Sequence, residues 1–175
     1  MALTKVIGAG LGNLDENITF STASKGVHLG VTSATASNLL SDYEEGTFVP
    51  KFAFGGGTSG SSYAIRTGFY TKIGRLVYFT LRLELSARGS STGAITIEDL
   101  PFTTLSTSHS ESSAYVGFMD DGSSNFDTNN LTLVLDTNGT TIRVRRVNSG
   151  SSGEFNQSDF GSNAQMIVSG TYMTS

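Results

Sequence analysis

Between Val77 and Leu85 the chain alternates without a break: Val77, Phe79, Leu81, Leu83 and Leu85 share one parity, and Tyr78, Thr80, Arg82 and Glu84 share the other. A period of two places the first set on one face of a β-strand and the second on the opposite face, so the odd positions read as core and Thr80, Arg82 and Glu84 as water-facing. This pattern predicts a strand over residues 69–85. Shorter apolar runs at 94–97, 114–119, 131–135, 141–147 and 165–173 predict further strands, separated by clusters of Gly, Ser, Asn and Asp at 86–93, 120–130 and 148–153. The pair Asn138-Gly139 sits between two of those runs and is a hairpin signal, so 131–135 and 141–147 are expected to pair. Pro50 and Pro101, each within two residues of a Phe, are expected at strand starts. Only 34–43 offers a helical stretch, and it is short. Many short strands with turn signals between them predict an all-β fold, an antiparallel β-sandwich or jelly-roll knob, over residues 42–175.

Residues 1–41 read differently. Ile18 with Phe20, and later Val27, Leu29 and Val31, alternate in brief stretches broken by small residues and by the turn signal Ser24-Lys25-Gly26. No stretch here is apolar enough to make a core alone, so the segment is either disordered or completed by another chain. The second is expected: an extended N-terminal arm that intertwines with its copies. The glycine-rich run from Val6 to Gly12 superficially matches a dinucleotide-binding turn, but its last glycine comes one position early and no helix pattern follows to face a pyrophosphate. It reads as part of the arm.

Composition narrows the partners. The chain has 175 residues, enough for one core and an appendage, with 15% charged residues, 21 Gly and a formal net charge of −4. A weakly acidic chain gives no reason to expect nucleic acid, and Arg143, Arg145 and Arg146 read as a solvated strand face. The absence of Cys removes both a disulfide framework and a thiolate metal site. No apolar stretch approaches the ~20 residues of a membrane-spanning helix, and the N-terminus lacks the pattern of a secretion signal, so synthesis in the cytoplasm without membrane insertion is expected.

Candidate chemistry is sparse. His28 lies in the poorly packed N-terminal region, and His109 sits in a polar run beside Glu111, an arrangement that does not aim side chains at one another as a catalytic triad requires. The carboxylate pairs Glu44 with Glu45, Glu98 with Asp99 and Asp120 with Asp121 are adjacent, which on a strand sends the two groups to opposite faces; a pair assembled from distant loops or across subunits stays open. The acidic stretch 120–127 holds oxygen ligands but lacks the spacing of a calcium loop and reads as solvated. No catalytic residue, metal or cofactor is therefore expected. Tyr63, Phe69, Tyr70, Tyr115 and Phe126, placed in or near presumed loops, offer faces for stacking on sugar rings.

Three motifs in order carry a resemblance. The run Asp42-Tyr43-Glu44-Glu45-Gly46-Thr47-Phe48-Val49-Pro50 resembles the Asp-Tyr-Glu-Glu-Gly-Thr-aromatic-x-Pro segment that opens a C-terminal β domain in tail-fibre and virion structural proteins of marine and other bacteriophages. Residues 67–77, with Gly68, Tyr70, Lys72, Ile73 and Gly74, resemble that family's next signature. Residues 93–102, ending Leu100-Pro101-Phe102, resemble its strand before a Leu-Pro-aromatic turn. The chain departs from the family in carrying Phe48 where Trp is usual, and in the short length preceding the β domain. The resemblance implies a non-enzymatic virion protein, made in the host cytoplasm: a short fibre or tail-tip knob, homotrimeric, with residues 1–41 as a virion-attachment and trimerisation arm. Its partners would be its own copies, other tail or capsid proteins and a host-surface glycan, with Tyr63, Tyr115, Phe126, Asp120 and Asp121 as receptor-facing candidates. A capsid decoration or head-fibre protein and a glycan-degrading tailspike-like enzyme are the alternatives.

Overall fold

The computed structural model describes residues 20, 22, 24–30, 33, 35–122, 130–148 and 151–175. The chain divides into two units, Met1–Ser41 and Asp42–Ser175. In the first, strand β1 (Val27–His28) pairs antiparallel with β2 (Leu39–Leu40), and a 3-10 turn at Ala36–Asn38 leads into β2. The helix expected over 34–43 is replaced by this one turn, with Thr35 and Leu39 extended on either side of it. Thr35 and Asn38 carry short polar side chains that compete with a helical backbone: the Thr35 hydroxyl donates to the Ser33 carbonyl at 3.3 Å. The Leu29 N–H donates to the Asn38 carbonyl at 3.0 Å, which commits the segment to a hairpin. Most of the arm expected for residues 1–41 lies outside the described residues.

The second unit contains β3 (Tyr43–Phe48), β4 (Lys51–Phe54), β5 (Ser62–Ile73), β6 (Leu76–Ala87), β7 (Ile95–Glu98), β8 (Ser112–Asp120), β9 (Leu131–Leu135), β10 (Ile142–Asn148), β11 (Ser151–Glu154) and β12 (Gln165–Met173). They form one antiparallel sheet in the order β3-β5-β6-β12-β8-β9-β10-β7-β4, with β11 beside β10. The two ends of that order, β3 and β4, are consecutive in the chain with only Val49 and Pro50 between them, so the sheet curls until its halves enclose one core. No α-helix occurs among the described residues.

The core follows the parity read from the sequence. Val77, Phe79, Leu81 and Leu83 of β6 stand opposite Tyr172, Gly170, Val168 and Met166 of β12, and all are buried. Ile95, Ile97, Leu133, Leu135, Ile142 and Val144 close the core from the other half. Phe160 meets Phe52 edge-on at 5.2 Å between ring centroids. The Tyr172 hydroxyl donates to the Phe102 carbonyl at 3.0 Å and accepts from the Phe102 N–H at 3.2 Å, so the one polar atom of this buried ring is satisfied.

Several expected elements shift. The single strand predicted over 69–85 is two strands, because Ile73 pairs with Leu76 and the chain reverses through Gly74 at φ +58°. A hairpin turn of two residues needs a positive φ at its first position, which Gly supplies without strain. The pairing of 131–135 with the following strand is present, with Leu135 opposite Ile142 and Asn138 at φ 56° in the turn. Strands β3, β4 and β11 were not expected. β3 is a largely exposed end strand, and β4 buries Phe52, Ala53 and Phe54 in succession, so neither alternates. Pro50 does precede β4, whereas Pro101 lies in a bend after β7. Tyr63, Phe69, Tyr70 and Tyr115, expected in or near loops, are all in strands.

Candidate functional site

Strand pairing gathers most of the large exposed apolar side chains of this unit onto one surface, with Val49 and Val147 standing elsewhere. On the outer side of β3, β5, β6 and β12, Tyr43 stands opposite Ile73, Ile73 opposite Leu76, and Leu76 opposite Met173. All four are exposed, and together they form an apolar row across four strands. Tyr78, two residues along β6, and Phe69, on β5 opposite Thr80, extend the row inward. Both are about half exposed. Antiparallel sheets ordinarily turn polar side chains outward on the face away from the core, so this face departs from the rule.

A second cluster occupies β8. The register of β8 against β12 slips between Val116 and Phe118, leaving Gly117 as an unpaired extra residue. A bulge of this kind reverses the parity of everything beyond it. Without it Tyr115 and Phe118 would point to opposite faces; with it Tyr115, Phe118 and Asp120 all lie on the outer side, and Tyr115 is 77% exposed. Between the clusters run Thr80 and Ser169, joined hydroxyl to hydroxyl at 3.0 Å, and a depression of about 120 Å³ beside Phe69 and Ile167. Beyond Ala114, β8 stays with β12 while β9 diverges, opening a cleft of about 520 Å³ lined in part by Tyr115, Val116, Phe118, Met119, Leu131 and Thr132.

The outer side of the other half is different in kind. Lys51 reaches Asp99 at 3.0 Å and Glu98 at 3.4 Å, Arg143 pairs with Asp136, and Arg145 donates to Ser152 at 3.1 Å. The Asp99 hydrogen bond holds the Lys51 ammonium above its usual pKa. This half carries the solvated, charge-paired exterior expected of a sheet facing water.

The residues singled out from sequence separate. Tyr115 and Asp120 share the outer face of β8, where the Asp120 carboxylate accepts the Gly122 N–H at 2.9 Å. Asp121 is buried, and its carbonyl accepts the Gly161 N–H at 2.6 Å. Tyr63 is half-buried: its hydroxyl donates to the Phe52 carbonyl at 3.2 Å and accepts the Phe52 N–H at 2.9 Å, while burial pushes its phenol pKa up. Phe126 lies outside the described residues.

The carboxylates are engaged with neighbours. Glu44 accepts from the Tyr70 hydroxyl at 2.5 Å and Glu45 from the Tyr43 hydroxyl at 2.8 Å, and each bond raises its tyrosine's pKa. His28 is exposed on β1, and His109 is exposed in a turn at φ 63°. Among the described residues no group of three His, Asp or Glu side chains is placed to hold a metal ion, and no helix is long and apolar enough to cross a membrane. Sequence reasoning named Tyr115 but missed Tyr43, Ile73, Leu76 and Met173: Tyr43 fell in the expected helical stretch, and Ile73 shares the core parity of the single strand expected over 69–85, facing outward only because the chain reverses at Gly74.

The fold defines an all-β protein built on a curled antiparallel sheet. No family model and no curated protein matches the chain. Among solved structures it is similar to the crystal structure of the Dettilon tailspike protein, with a TM-score of 0.58 and 19% identity, covering 75% of this chain. The chain spans 24% of the length of that protein, and the likeness is one of fold.

Proposed function

We propose that this chain is a structural subunit of a bacteriophage particle, a short fibre or tail-tip knob that works as a homotrimer in particle assembly and in contact with the host surface. The observation that carries the reading is the uncovered apolar face on a fold similar to part of a tailspike protein. A monomer in water has no use for a row such as Tyr43, Ile73, Leu76 and Met173, whereas a subunit that spends its life against its own copies does. The role is mechanical: trimerisation places three copies of any weak host-binding surface on one body, where avidity multiplies modest affinities. The β unit Asp42–Ser175 is the knob and residues 1–41 are the attachment arm to other tail or capsid proteins.

The test is the solution mass by light scattering, on the full chain and on a chain beginning at Leu40. A mass three times the 18.4 kDa subunit for the full chain is the expected result. If the shortened chain is also a trimer, the knob itself holds the contact. A monomeric full chain overturns the homotrimer and leaves a decoration subunit that takes its symmetry from the capsid.

A further inference from the structure

Resting on the homotrimeric reading, we infer that copies of this chain join head to tail through the outer face of β3, β5, β6, β12 and β8. The apolar row around Leu76 of one copy seats against the Tyr115 cluster and the β8–β9 cleft of the next.

Tyr43, Phe69, Tyr78, Tyr115 and Phe118 are each about half exposed or more. With aromatic side chains carrying ~150–250 Å² each, they leave on the order of 500 Å² uncovered. Ile73, Leu76 and Met173 bring the two patches together to about 800 Å²; a ring uses one patch from each copy at each contact, so every contact covers about that apolar area in total over its two partners, before its polar rim is counted. The composition also fits the centre of an interface, with aromatic residues and Met and without Lys. The charges on this face are Glu45 on the end strand β3, which accepts from Tyr43 at 2.8 Å, Asp120 at the end of β8, and Arg82, which bonds Glu84 at 3.0 Å and Gln165 at 3.3 Å.

The arrangement selects the geometry. A closed ring of three identical subunits uses heterologous contacts, so each copy must present two different patches. This face has two. One is a row of projecting side chains at the β5–β6 turn, and the other borders a cleft of about 520 Å³ with Met119 and Leu131 in its wall. Thr80 and Ser169 divide them, and satisfy each other. A projecting row and a cleft complement one another, whereas two projecting rows do not. Tyr115 is thereby assigned to a neighbouring copy rather than to a receptor.

The absence of cysteine makes the test direct. The full-length variants Leu76→Cys, Tyr115→Cys and the double variant are exposed to a mild oxidant and run on a denaturing gel, after light scattering of the reduced protein. Within one copy the two positions lie on β6 and β8 with β12 between them, beyond the ~7 Å that a disulfide spans. The expected result is a trimeric mass for all three, covalent trimers from the double variant, and uncrosslinked chains from each single variant. Crosslinked dimers from Leu76→Cys alone would show the row meeting itself and overturn the head-to-tail arrangement. A trimeric mass with no crosslink in the double variant would put the contact elsewhere and overturn the inference while leaving the trimer standing. A monomeric mass for the unaltered chain would overturn the trimeric reading itself.

Discussion

Phe48 lies across Gly68. The two are register partners on β3 and β5, and a Cβ added at position 68 would stand 2.4 Å from the Phe48 ring. Gly46, two residues earlier, is covered in the same way by Tyr70, whose hydroxyl bonds Glu44. The motif at 42–50 and the motif at 67–77 are therefore two sides of one strand pair, in which each glycine leaves room for the other strand's ring. Gly68 is not at positive φ, so the constraint is purely steric. Gly68→Ala is expected to lower stability by about 1–3 kcal/mol through overpacking. Urea denaturation of the two proteins measures this, and an unchanged midpoint would mean that the ring moves aside at no cost.

The Tyr172 hydroxyl bridges the N–H and the carbonyl of Phe102, closing the bend after Pro101 onto the core. Tyr172→Phe keeps the ring and strands both backbone groups. The expected loss is about 1–3 kcal/mol, read as a drop in Tm.

The same burial sets an alkaline limit. Desolvation raises the Tyr172 phenol above its ordinary 10.0, and that of Tyr63 likewise. A raised folded-state value means the native protein keeps a proton that the unfolded chain has released. The stabilisation is complete below pH 10 and falls as the pH rises beyond it. Phenolate absorbance followed beside circular dichroism should show these two tyrosines ionising only as the fold is lost. Tyr172→Phe should weaken the alkaline loss. Free ionisation of every tyrosine in the intact fold would refute the account.

Lys72 is buried on β5 against the Phe102 ring, with its ammonium 5.4 Å from the ring centroid, and its salt-bridge partner is Asp42 at the start of the unit. Removing one member of such a pair is worse than replacing the buried charge with an apolar chain. Asp42→Ala should cost about 1–3 kcal/mol, because a buried ammonium loses its acceptor. Lys72→Met should cost less. Thermal melts of both variants decide it, and the reverse order would show that the Lys72 stem, rather than its charge, is what matters there.

The strands that alternate were legible from the chain alone. β6, the β9–β10 pairing and β12 each bury one face, and burial of one face imposes a period of two that a reader can see. β3 and β4 were not legible, since one is mostly exposed and the other buries successive residues. The turn at Gly74 was hidden because apolar residues continue on both sides of it.

Of the exposed apolar face, the sequence by itself determined only which side chains are apolar. It also determined that the protein is all-β, with the odd positions of β6 in the core, because these follow from local periodicity. Only the tertiary structure decided that Tyr43 and Met173, at opposite ends of the unit, stand in one row with Ile73 and Leu76. It alone placed Phe118 beside Tyr115 through the bulge at Gly117. Row membership depends on which strands hydrogen-bond and in which register. That is a long-range choice, made by the closure of the whole sheet round its core.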